Sequence, residues 1–182
     1  MKKILYLLGL ALLLAGTFAS CKENDLEAMR DNELESLDKY IKEKNLTDAK
    51  DPSGLYFKLL QSSGDTTKIR KGFRLQLNYH ITLIDDSTVV FTTRDKLGHN
   101  YEDDDFYVEI SDETVATSQL QQVAGMHIAL KKMHLGDKAL IVIPSQLAFK
   151  ALNTTTAYGY IPRFSTLVVT VHAKSGYLLP EN

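Results

Sequence analysis

Apolar residues in this chain recur with a helical period before Gly54 and with a period of two after it. Upstream, Leu34, Leu37 and Ile41 stand at i, i+3 and i+7, preceded by Leu26 and Met29 and flanked by Glu and Lys, which is one apolar stripe on a helix. Asn45 and Asp51-Pro52-Ser53-Gly54 break that pattern. A striped helix over about Lys22–Lys50 is either a spacer or a packed part of the domain, because a stripe calls for a partner without naming it. Further on, Leu55, Phe57 and Leu59 alternate with Tyr56, Lys58 and Leu60. Leu75, Leu77, Tyr79, Ile81 and Leu83 then point one way, with Gln76, Asn78, His80 and Thr82 opposite, as in an antiparallel strand with one wet face. Thr88–Thr93, after the Asp85-Asp86-Ser87 turn, and Phe106–Ile110 are further β-prone runs. Val123, Met126, Leu130 and Met133 predict a helix over about Leu120–Leu135, capped by Gly136. Lys138–Ile143 reads as a strand stopped by Pro144, Leu147–Tyr160 as a long loop, and Leu167–Ala173 as the last strand. Several strands and one interior helix define the α+β class. Because the β-period starts at Gly54, the sheet is expected to fold without residues 22–50.

The first residues belong to another kind of segment. Lys2 and Lys3 precede an apolar run from Ile4 to Ala15, and Thr17-Phe18-Ala19-Ser20 lead to the only cysteine, Cys21. This is the layout of a secretory signal peptide, and the run is shorter than the roughly 20 residues of a membrane-spanning helix. The lone cysteine after two small residues resembles the bacterial lipobox, in which that cysteine is acylated and becomes the first mature residue. The expected division is a signal peptide over 1–20, a lipidated N-terminus and helical spacer over 21–53, and a domain over 54–182. Multiple acyl chains at Cys21 would anchor the protein stably to a membrane. Lys22 after Cys21 is not the aspartate that retains such proteins at the inner membrane of enteric bacteria. The expected location is therefore the outer membrane, periplasmic or surface-facing.

Charge and composition narrow the chemistry. A formal net charge of −2 offers no basic face for nucleic acid. Glu102-Asp103-Asp104-Asp105 lacks the alternate spacing and turn glycine of a calcium loop and reads as solvated. Of the five histidines, His127 and His134 lie two turns apart on the predicted helix, too far to share a metal, and zinc needs three or four convergent ligands. No serine has nucleophile-elbow context. Neither a metal nor a cofactor is expected.

Three segments in order carry a resemblance. The first is Tyr79 within the Leu75–Leu83 strand. The second is Gly125-Met126-His127-Ile128-Ala129-Leu130 with Met133, Leu135-Gly136 and the strand ending in Pro144. The third is Leu147-Ala148-Phe149, a loop, Ile161-Pro162 and Ser165-Thr166-Leu167-Val168. Over about Gly54–Lys174 the set resembles the FKBP-type peptidyl-prolyl isomerases. The resemblance implies a twisted antiparallel sheet wrapped around one short helix, here with an N-terminal helical extension, and an apolar pocket between them. Tyr79, Phe106, Val123, Met126, Phe149, Ile161 and Val169 would line it, with Phe91 or Val90 as a further member. From pattern alone these are core residues.

The departures from the family concern the same pocket. Val89-Val90-Phe91-Thr92-Thr93 has no acid where the family keeps an aspartate after an aromatic. Met126 stands in place of a tryptophan, Phe149 of a tyrosine, Lys150 of a glycine, Val169 of an aromatic and Arg163 of a proline. Two functions stay open. One is an envelope protein that binds proline-containing or extended polypeptide clients with weak or absent isomerase activity. The other is an active isomerase that assists exported proteins. The cysteine is tested directly: wild-type protein is expected in the detergent phase with acyl mass on Cys21, and Cys21→Ala in the aqueous phase. An unacylated, aqueous wild type would refute the lipid anchor.

Overall fold

The computed structural model describes residues 25–93, 107–112, 123–156 and 158–180. Residues 1–24 with Cys21, the acidic stretch at 102–105 and Phe106 lie outside the described residues. Within them, helix α1 (residues 25–43) precedes strands β1 (Tyr56–Gln61), β2 (Phe73–Leu83), β3 (Val89–Thr92) and β4 (Tyr107–Glu109). Helix α2 (Ala124–Leu130), β5 (Lys138–Ile143), a short hairpin of β6 (Thr154–Thr156) and β7 (Gly159–Ile161), and β8 (Leu167–Leu178) follow. The main sheet runs β1-β5-β8-β2-β3, with β4 also on β2, and every pairing is antiparallel.

Alternation decides which face of each strand turns inward. Leu75, Leu77, Tyr79, Ile81 and Leu83 of β2 are all buried, as their period of two predicts. From β8, Leu167, Val169, Val171 and Ala173 join them, and α2 closes this face with Met126, Ala129 and Leu130. The helix lies unusually near the sheet: a Cβ on Gly125 would stand 2.3 Å from Ile143 Cγ2. Only glycine permits that approach.

Strand β5 is different, because Ala139 through Ile143 is an unbroken apolar run. Such runs mark strands covered on both faces. Ala139, Ile141 and Ile143 enter the main core, while Val142, with Leu140 beside it, joins a second cluster with Leu37, Ile41 and Leu46. Helix α1 is therefore packed on the outer face of the sheet. Its buried stripe departs from the predicted one. Leu34 is 45% exposed, and Glu33, 4% exposed, takes the inward place. The cause is polar: Glu33 accepts hydrogen bonds from Ser145 and Thr166, which no leucine can do.

Two other segments depart from expectation. Helix α2 ends at Leu130 rather than near Leu135. Beyond it the chain turns and pairs with residues 67–69 through a bridge of Lys68 and His134: Ile69 N–H donates to Met133 O, and Leu135 N–H to Thr67 O. Met133 still reaches the core, but from beyond the end of the helix. The buried Asp137 carboxylate braces this connection by accepting from the backbone N–H of Ser63 and His134. Burial alone would push this carboxyl up, but those donors outweigh it and hold it below the ordinary aspartate range. The stretch read as a loop over 147–160 contains strand β6 and most of β7. Their three-residue lengths and threonines give no apolar alternation to read.

Removing residues 22–50 is expected to leave the sheet folded but less stable. Loss of the Leu37, Ile41 and Leu46 contacts re-exposes Val142 and should cost on the order of 3–5 kcal/mol in urea denaturation. An unchanged midpoint would show that α1 contributes nothing.

Candidate functional site

The site grows from the outer half of β2. Tyr79 is fixed by its backbone: its N–H donates to Thr93 Oγ1 at 3.0 Å, and its carbonyl accepts from Thr93 N–H at 3.0 Å. These bonds continue the β2–β3 pairing one step past β3, and Thr93 is fully buried there. Across the ladder, Phe91 faces Ile81 and stacks on the Tyr79 ring at 4.8 Å between centroids and 10° between planes. Tyr158, in the turn of the β6–β7 hairpin, meets Phe91 edge-on at 5.4 Å. Its hydroxyl donates to Thr92 O at 3.1 Å, and Thr156 Oγ1 donates to Val90 O at 2.9 Å, so the hairpin is pinned to β3.

The remaining candidates converge from separate elements. Val123 and Met126 come from the start of α2, Phe149 from the turn after the 3-10 segment Ser145–Leu147, Ile161 from the end of β7 and Val169 from β8. All of these are buried in one apolar cluster with Tyr79, and Phe91 packs against it partly exposed. Val90, the other option for the aromatic position, is also buried there. Tyr158, 47% exposed, was not among the sequence candidates. A Tyr158-Gly159-Tyr160 run before Ile161-Pro162 was the available signal, but exposure and stacking are not properties of a run.

The described pocket candidates Tyr79, Phe91, Val123, Met126, Phe149, Ile161 and Val169 carry no formal charge. Burial, and secondarily Tyr158, push the Tyr79 phenol above its ordinary range, so it stays protonated at physiological pH. Among the described residues, no group of three or more His, Cys, Asp or Glu converges as a metal site would require. His127 Nδ1 accepts from Ser111 N–H, and His134 lies beside Asp137. Two open concavities of about 540 and 200 Å³ flank α1, and neither is lined by any of the pocket candidates.

Lys150 is informative because the family resemblance puts a glycine there. Its φ is 56°, so the backbone keeps the left-handed conformation that glycine favours while the residue does not. Its N–H donates to Ser145 O and its carbonyl accepts from Phe164 N–H, which hold the turn in that strained shape.

This architecture agrees with comparison to known proteins. Residues 65–174, more than half of the chain, match the sequence profile of the FKBP-type peptidyl-prolyl cis-trans isomerases. The chain belongs to that family. No curated protein matches it significantly. Among solved structures it is similar to FkpA from Escherichia coli, with 21% identity, TM-score 0.57 and coverage of 94% of this chain and 73% of that one. It is also similar to the N-terminal domain of FKBP42 from Arabidopsis thaliana, with 17% identity, TM-score 0.54 and coverage of 68% and 86%. A third similar structure holds the three FKBP domains of wheat FKBP73, with 19% identity and TM-score 0.54. That match covers 70% of this chain and 48% of the wheat chain, so the chain spans about half of that relative's length.

Lys150→Gly is expected to stabilise the protein by about 0.5–1 kcal/mol, because relief of left-handed strain exceeds the added chain entropy. A lower midpoint in chemical denaturation would contradict it.

Proposed function

We propose that this protein is a lipid-anchored FKBP-like module of the cell envelope. It binds proline-containing or extended polypeptide at the exposed Phe91–Tyr158 edge of the Tyr79–Met126–Phe149 centre, with isomerase activity far below that of an intact family enzyme. Cys21 is the anchor, the outer membrane its expected site, and a protein or peptide client the expected partner. No nucleic acid, metal or cofactor enters this role.

The single observation that carries the proposal is the Phe91 ring lying flat on Tyr79. Strand β3 brings an apolar ring, and no carboxylate, to the neighbourhood of the pocket tyrosine. Rotating a prolyl amide requires roughly 18–20 kcal/mol because resonance is lost. A dry apolar site favours the twisted, less polar amide, so the family's reaction needs neither nucleophile nor metal. What it needs is a firm hold on the prolyl ring. Met126 offers a flexible thioether where the family has a rigid indole. An error of about 1 Å in placement can cost on the order of 100-fold in rate. Binding relies more on buried apolar area, which survives these replacements. Exposed Tyr158 beside Phe91 supplies further aromatic surface for a flanking peptide.

In the full-length protein, kcat/KM on a proline tetrapeptide is expected at least about 100-fold below that of an intact family enzyme. A proline-containing peptide at millimolar concentration is expected to shift NMR signals of Tyr79, Met126, Phe149 and Tyr158, and Tyr158→Ala to weaken that binding. Full activity would refute the impaired enzyme. An absence of shifts at all four residues would refute the peptide site.

A further inference from the structure

The buried Glu33 is the polar group of α1 that the packing of an apolar stripe does not explain. Its two carboxylate oxygens are divided between partners far apart in the chain. Oε1 accepts from Ser145 N–H at 2.7 Å and from Thr166 Oγ1 at 2.8 Å. Oε2 accepts from Ser145 Oγ at 2.7 Å and from Arg30 Nη1, which also donates to Ser145 Oγ at 3.0 Å. Ser145 and Thr166 are the two ends of the excursion between β5 and β8, and one oxygen bridges them. That excursion carries Phe149, Tyr158 and Ile161.

The clamp continues inward through backbone. Ser145 O accepts from Lys150 N–H at 2.7 Å, and Lys150 O accepts from Phe164 N–H at 2.8 Å. Arg163 N–H donates to Asn153 Oδ1 at 3.1 Å one step farther out. Phe149 therefore sits between residues whose backbone is tied, through Ser145, to a side chain on a different element. Hydrogen bonds to an ionised acceptor are roughly twice as strong as neutral ones, so a carboxylate suits this place better than an amide or a hydroxyl.

We infer that Glu33 is a positioning residue: from α1 it clamps both ends of the 145–166 excursion and so sets where Phe149 and Ile161 meet the apolar site. Its effect on peptide affinity rests on the proposed peptide-binding role, whereas its effect on the order of the excursion does not. The helix following the proposed membrane anchor is thereby part of the apparatus that shapes the site.

Amide hydrogen exchange in the full chain tests the assignment. Glu33→Gln and Thr166→Val should each speed exchange at Lys150 and Phe164 by about tenfold or more, leaving the amides of β8 within about twofold. The double variant should exchange no faster at those positions than the worse single one, because both act on the same clamp. Leu37→Ala, which loosens α1 one turn away without touching the clamp, should leave Lys150 and Phe164 unchanged relative to β8. Uniform acceleration of all amides by Glu33→Gln and Thr166→Val, or an equal local effect of Leu37→Ala, would overturn the assignment. Peptide titration supplies the second arm: Glu33→Gln should weaken binding severalfold, and unchanged affinity beside a wild type that binds would overturn the link to the site. A wild type that binds no peptide would remove the peptide-binding function, while the exchange data still decide the clamp.

Discussion

Strands β2 and β8 pair along eleven register partners from Phe73↔Leu178 to Leu83↔Leu167, interrupted by one irregularity between Gln76 and Leu77. The other strands of the sheet depend on this ladder. Strand β5 pairs with the free side of β8, β1 pairs with β5, and β3 and β4 share the outer side of β2. A slip of one residue would turn Leu75, Leu77, Tyr79 and Ile81 away from α2 and expose the core. The hydrophobic cost of that exchange is what fixes the register, and with it the place of Tyr79.

Once Tyr79 is placed, the character of the site depends on what the flanking segments bring to it. Strand β3 delivers Phe91 through a ladder that Thr93 extends, α2 delivers Met126 because Gly125 lets the helix approach Ile143, and the excursion after β5 delivers Phe149 through a left-handed Lys150. Each device is local and each acts at a different point of the chain. Together they produce, among the described residues, an apolar centre.

The outer face of the sheet links this centre to the N-terminus. Leu37 and Ile41 supply apolar area, which holds α1 on β5 without specifying its axial position. Glu33 specifies that position, because hydrogen bonds to Ser145 and Thr166 tolerate little displacement. The division is a general one: burial supplies most of the adhesion, and directional polar contacts select one arrangement.

Much of the fold was legible in the residues alone. The alternation over Leu75–Leu83, the apolar run of Lys138–Ile143 and the Pro144 stop follow from the backbone's period of two and from proline's missing donor, which act locally. The ordered motifs around Tyr79, Met126 and Phe149 also carry the family resemblance in the sequence alone. What remained hidden depends on contacts distant in sequence. The stripe on α1 did not reveal that Glu33 would replace Leu34, because its partners lie 112 and 133 residues away. The end of α2 at Leu130 was decided by pairing of Met133 with Ile69, and the β6–β7 hairpin by its anchorage on Val90 and Thr92. Periodicity states which residues seek burial; only the assembled sheet decides which polar groups are carried inside with them, since each buried donor or acceptor must find its partner there.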